Sequence, residues 1–158
     1  MNGEVSAEQA KKIISMLTEG GAIDNVNTPL ALRLMPLARE LENEVLVTRL
    51  LEHAEKVACD DLDKGWVQFE KMKSRGAEIE QFVALSTKSE ELPNGKPLAA
   101  AILHHIGLIY LSDEQFNDSK TFINRSMRIR EALNDNLGIV YSLAVLEACE
   151  KRQNNHEA

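Results

Sequence analysis

The chain has 158 residues and a net charge of −7, with 44% hydrophobic but only 4% aromatic residues. One domain with a sizeable core is the expectation at this length, and the acidic balance disfavours nucleic acid, whose recognition rests on clustered Lys and Arg. Few aromatics, four prolines and eight glycines leave long stretches of Leu, Ile, Val, Ala and Met, which favours interlocking helices over a β-sandwich.

A first helix is predicted from Ser6, with Gln9 three residues on completing a capping box. Ala10, Ile13, Ile14 and Leu17 form its apolar stripe, and Gly20-Gly21 ends it. After a loop to Asn27, Thr28-Pro29 opens a second helix with Leu30, Leu34, Leu37, Ala38 and Leu41 on one face. Pro36 lies inside this pattern and is expected to kink the helix or move its start later, because the ring removes a donor and crowds the preceding turn. Glu42-Asn43-Glu44 links to a third helix, Val45 to Cys59, with Val45, Val47 or Thr48, Leu50, Leu51, Ala54, Val57 and Ala58 in its pattern. Asp60-Asp61-Leu62-Asp63 lacks the oxygen-ligand run of a calcium loop. An N-cap, with acidic side chains at the positive end of the next helix, accounts for it.

Trp66, Phe69 and Met72 mark a fourth helix. Ser74-Arg75-Gly76 either breaks it, with Ile79, Phe82, Val83 and Leu85 on a further helix to Leu92, or lies in one long bent helix over 62–92. Pro93-Asn94-Gly95-Lys96-Pro97 is the clearest turn. Two helical patterns follow between Pro97 and Leu133, separated by Ser112-Asp113-Glu114-Gln115, whose Ser and Gln have capping-box spacing. Leu98, Ile102, Ile106, Ile109 and Tyr110 line one face of the first; Phe116, Ser119, Phe122 or Ile123, Ser126, Met127, Ile129 and Leu133 belong to the second. So short a break makes an antiparallel hairpin. Gly107 sits mid-helix at a cost of about 0.5–1 kcal/mol relative to alanine. That makes sense where a second helix backbone comes close, against the small Ser119 and Ser126, with Tyr110 filling the adjoining space. Asn134-Asp135-Asn136 can cap a last helix with Ile139, Val140, Leu143, Leu146 and Cys149 inward, ending near Arg152 before a polar turn over 154–158.

Leu103, Ile106, Gly107 and Tyr110, followed by Ser119, Ile123 and Ser126, resemble the tetratricopeptide repeat (TPR). The run from Arg130 to Asp135, followed by Leu137-Gly138, is similar to the linker of the family's longer variety. Serine stands for alanine at both small positions and Leu103 where tryptophan is commonest, and the likeness covers 97–138. Laying Leu37 on Ile129 also lays Leu41, Val45, Val47 and Leu51 on Leu133, Leu137, Ile139 and Leu143, in keeping with a repeat array. The resemblance implies an all-α fold of antiparallel helical hairpins stacked as a TPR-like right-handed superhelix of about seven helices, a single domain over 1–158. It also implies a concave groove lined by Ala101, His104, Leu108 and Leu111 from one helix and Val140, Leu143 and Glu147 from another. The expected function is a non-catalytic protein–protein interaction module that takes a peptide or partner helix in that groove. A ligand-responsive bacterial regulatory domain of TPR type is the alternative. The last helix is apolar on more than one side at Leu143–Leu146, which leaves pairing with a second copy open.

Chemistry-bearing patterns are sparse. His104 and His105 are adjacent and point about 100° apart on a helix, so they cannot share one metal ion. His53 and Cys59 also fall on different faces. No serine elbow, phosphate-cradling glycine loop or cysteine in a basic cluster is present. Glu78 with Glu80, and Glu90 with Glu91, have the spacing of a solvated face, as do Lys120, Arg125, Arg128 and Arg130 on the outer helix. Cys59 and Cys149 are expected to be free and buried. No catalytic residue, metal ligand or cofactor is therefore assigned. No apolar run reaches the ~18 residues of a membrane span, and MNGEVSAEQAKK lacks the apolar segment of an export signal. A soluble cytoplasmic protein with no membrane partner is the expectation.

Overall fold

Polar side chains set most of the helix starts in the computed structural model, which describes residues 6–20 and 23–157. The remaining positions lie outside the described residues, and with them the reading of residues 1–5, the Gly21 half of the first helix stop and the final residue of the polar tail. Among the described residues the chain is all-helical, with eight α-helices, one 3-10 turn and no strand. No helix there is long and apolar enough to cross a membrane. The fold divides into two compact units, Met1–Lys71 and Met72–Ala158.

In the first unit, α1 (Ala7–Thr18) begins with the expected reciprocal cap. The Ser6 hydroxyl accepts from the Gln9 N–H at 3.2 Å, and the Gln9 side chain accepts from the Ser6 N–H at 2.8 Å. A 3-10 turn (Ile23–Asn25) leads to α2 (Thr28–Glu40), where Asn27 accepts from the Leu30 N–H. Asn43 caps α3 (Glu44–Val57) in the same way through the Leu46 N–H. The turn between α2 and α3 is only a few residues long, so the two pack as a hairpin, burying Leu34, Met35 and Ala38 against Leu46, Leu50 and Ala54. Two buried polar contacts pin the start of this hairpin to its end. The Thr28 hydroxyl donates to the Ala54 carbonyl at 3.2 Å, and the His53 Nε2 lies 2.6 Å from the Val26 carbonyl. Asp60 accepts from the Asp63 N–H at 2.7 Å and starts α4 (Asp61–Arg75), so the acidic cluster is the N-cap its spacing indicates.

Pro36 lies inside an α2 that is continuous from Thr28, with no later start. Its ring is on the exposed side, where water can replace the backbone partner that it removes.

In the second unit, Gly76, at φ 65°, stops α4 before α5 (Ile79–Glu91) begins. Residues 62–92 are thus two helices and not one bent rod, which brings the count to eight. Asn94, at φ 58°, turns the chain into α6 (Lys96–Ser112), with Pro97 in the first turn. Next come α7 (Phe116–Ala132) and α8 (Asn136–Glu157). Neighbours pack in order, α5 on α6, α6 on α7 and α7 on α8, with a lesser contact between α6 and α8. Leu98, Ala99, Ala100, Ile102, Leu103 and Ile106 of α6 are all buried, as befits a helix covered on several sides.

The Ser112/Gln115 capping box does not form. Ser112 is the last residue of α6, Glu114 takes the left-handed conformation at φ 60°, and Gln115 precedes α7 without a side-chain cap. The last helix runs on to Glu157, past the polar turn expected after Arg152.

The α6–α7 contact is a close one. A Cβ on Gly107 would lie 2.5 Å from both Cδ1 and Cγ1 of the fully buried Ile123, and 3.3 Å from the Ser119 carbonyl oxygen. The Ser119 hydroxyl donates to the Gly107 carbonyl and the Ser126 hydroxyl to the Ala100 carbonyl, each at 2.7 Å. Overpacking costs about 1–3 kcal/mol, more than the ~0.5–1 kcal/mol that alanine gains in helix propensity. Gly107→Ala should therefore lower stability by about 1 kcal/mol. Ile123→Val, which deletes Cδ1, should cost less in that background than in the wild type. Chemical denaturation of the four proteins measures the coupling, and a stabilised Gly107→Ala would contradict the close approach.

Candidate functional site

The residues singled out for repeat packing come together. Leu103, Ile106, Gly107, Ser119, Ile123 and Ser126 are all buried at the α6–α7 contact, and Tyr110 stacks on Phe122 with ring centroids 5.5 Å apart. The seven groove residues separate into two sets.

One set is tied into the protein. Leu111 is 9% exposed and belongs to the apolar cluster of Ile123, Val145 and Cys149, so it offers little to a ligand. Ala101 is half-buried. His104 is half-buried too, and its Nδ1 lies 3.2 Å from Nη1 of Arg130. Burial, then the Arg130 guanidinium, then His105 hold its pKa down to about 4 from the ordinary 6.5. A neutral imidazole accepting from an arginine is a structural partner. His104 carries no charge at neutral pH.

The other set faces outward. Leu108 is 40% exposed, Val140 59% and Leu143 52%. Glu147 is exposed and paired with Lys151 one turn on at 2.6 Å, a hydrogen bond that keeps its carboxyl below the usual range. Val140 and Leu143 therefore do not point inward as the sequence suggested. The inward face of α8 is Gly138, Ser142, Val145 and Cys149. With Leu137 and Tyr141 also exposed, the outer side of α8 carries apolar side chains at three- and four-residue steps.

The sequence pattern puts Arg130 on the solvated face, but in the structure it is only 9% exposed. Its Nη1 donates to the Gly138 carbonyl at 2.8 Å and the Ser142 hydroxyl at 2.9 Å as well as facing His104, so one guanidinium ties α6, α7 and α8 together. Asp135, 4.0 Å from Nε, offsets part of the cost of burying the charge. Gly138 makes room for this side chain, since a Cβ there would meet the Arg130 Cδ at 2.7 Å. A glycine in the first turn of an apolar helix was the one signal in the sequence for this contact. Arg125 and Arg128 are exposed as expected, and Lys120 is half-buried with its ammonium on Glu150 and Gln153. Cys149 is buried and free, whereas Cys59, also free, is exposed just after α3 because that helix ends at Val57.

Among the described residues, no group of three or more His, Cys, Asp and Glu side chains could hold a metal ion. The chain matches no family model, no curated protein and no solved structure.

The His104 arrangement has a consequence for stability. Because its folded pKa lies below the unfolded one, the unfolded chain takes up the proton first as pH falls. The contribution is complete above about pH 6.5 and is lost between there and about pH 4. With solvent screening of a half-buried group, the loss should be on the order of 1 kcal/mol. His104→Gln keeps an acceptor for Arg130 but cannot take the proton. Denaturation midpoints measured from pH 7 to 4 should fall less steeply for this variant than for the wild type.

Proposed function

We propose that this chain is a non-catalytic protein-interaction module built of TPR-like helical hairpins, and that it binds an amphipathic helix or extended peptide on the outer side of α8, with the exposed Leu108 of α6 as a further anchor. The observation that carries the reading is the division of α8 between its two sides. One side, Gly138, Ser142, Val145 and Cys149, is buried, while Leu137, Val140, Tyr141 and Leu143 on the other are exposed. Scattered apolar residues on a surface need no explanation, but a run of them along one helix marks a contact surface. The helix that bears them is held rigidly by Arg130 and by the Cys149–Ser119 contact, so little ordering would be needed on binding. The close seating of Gly107 on Ile123 and the serine hydroxyls supports the TPR-like part of the reading, because the resemblance places small and large residues there in the same way.

Affinity in such a surface comes from a few apolar anchors, each worth about 2 kcal/mol or more when truncated at the centre. Proteins co-purifying from native extract with the wild-type chain should be lost with Leu143→Glu and depleted with Leu108→Glu. They should be retained with Met16→Glu, which alters an equally exposed apolar side chain on α1. Unchanged recovery with both Leu variants, each with wild-type helicity by circular dichroism, would overturn the assignment of this surface.

A further inference from the structure

The first unit contains a half-open cleft of about 560 Å³ between α2 and α4, well away in sequence from the α8 surface. That volume is in the range of small-molecule sites, roughly 300–1,000 Å³. Leu32 and Pro36 of α2 face Leu62 and Trp66 of α4 across it. Pro29 and Pro36 are seven residues apart, hence on one side of α2, and both line the cleft. Proline within a helix costs about 3 kcal/mol, and Pro36 is exposed, so core packing does not account for it. Short rigid rings opposite Trp66 leave space that a longer side chain would fill.

Three charged groups reach this space: Arg33, Asp63 and Glu70. Glu70 is already engaged, at 3.1 Å from the Arg39 guanidinium. Asp63 is half-buried and, among the described residues, makes no ion pair. Burial, and then the nearby Asp60, push its pKa upward, as happens to a carboxylate with no cation beside it. Asp63 and Trp66, three residues apart, share one side of α4. A carboxylate next to an indole, walled by apolar side chains, is the arrangement that recognises an organic cation. Arg33 opposes a cation, but it is exposed, where water and salt screen it.

We propose that the α2–α4 cleft binds a small organic ammonium ligand with an aromatic or branched apolar body. The cation rests on Asp63 and the face of Trp66, and the apolar part lies between Leu32, Pro36 and Leu62. This goes beyond the interaction reading and does not draw on α8.

The chain has a single tryptophan, so its indole N–H gives one resonance in a proton–nitrogen correlation spectrum, and that resonance reports on the cleft directly. Phenethylamine titrated into the full chain should shift it saturably, in the millimolar range that a ligand of so few atoms allows. The isosteric phenethyl alcohol and the anion 3-phenylpropionate should bind at least about fivefold more weakly. Asp63→Asn should weaken the amine about tenfold while leaving the alcohol unchanged. Arg33→Gln, at an exposed position that leaves the fold intact, should bind the amine as tightly as the wild type or more so. No saturable shift with the amine, equal responses to all three compounds, or wild-type amine binding by Asp63→Asn would each overturn the proposal. Should Asp63→Asn lose helicity, the compound series and Arg33→Gln decide alone, and weaker amine binding by Arg33→Gln would count against it.

Discussion

The second unit depends on a column of small and polar groups along α7. Ser119 and Ser126 are buried against α6, and each hydroxyl donates to a carbonyl of that helix. A buried hydroxyl without a partner would cost about 1–3 kcal/mol, so these bonds are what allow serine in place of an apolar residue. Gly107 permits the approach that makes them short. The same column serves the other neighbour. The Ser119 hydroxyl accepts from the Cys149 thiol at 3.3 Å, and Arg130, one turn beyond Ser126, reaches Gly138 and Ser142. Thus α7 holds α6 and α8 by directional contacts at fixed points, with Ile123 as the apolar residue between them.

Arg130 adds a constraint that apolar packing lacks. A guanidinium buried at a three-helix junction is tolerable only when its donors find acceptors, and here those come from His104, the Gly138 backbone and Ser142. His104 fixes α6, and Gly138 together with Ser142 fixes α8, each at one rotation and one height. An apolar residue at 130 could pack against several rotations of α8, whereas the arginine accepts only the one that turns Gly138 and Ser142 inward. The outward turn of Val140, Tyr141 and Leu143 follows from that same choice.

How far the sequence speaks for the fold differs between elements. Ser6 and Asp60 announced their helices because a cap is local: one side chain, one N–H, three residues apart; Asn27 and Asn43, read only as loop and link, cap theirs in the same way. Gly107 with Ser119 and Ser126 was legible because a mid-helix glycine and evenly spaced small residues have few other uses. The rotation of α8 was not legible. Leu137 to Leu146 is apolar on nearly every side, so periodicity gives no preferred face, and the side that is buried is lined partly by Gly, Ser and Cys. Ser112 and Gln115 had the spacing of a cap, but a left-handed Glu114 closed the turn first. Among the groove residues, Leu108 is exposed, while the burial of Leu111 against Ile123, Val145 and Cys149 and the capture of His104 by Arg130 depend on contacts with later helices.

The short span of the serine contacts also bears on how the chain assembles. Ser119 meets Gly107 across 12 residues and Ser126 meets Ala100 across 26. Closing loops of that size sacrifices little chain freedom, and structures dominated by such nearby pairings reach their native form quickly. The α6–α7 pair can therefore form as a self-contained nucleus during synthesis, and it then presents two ready-made sides, one for α5 and one for α8, as template and not merely as neighbour.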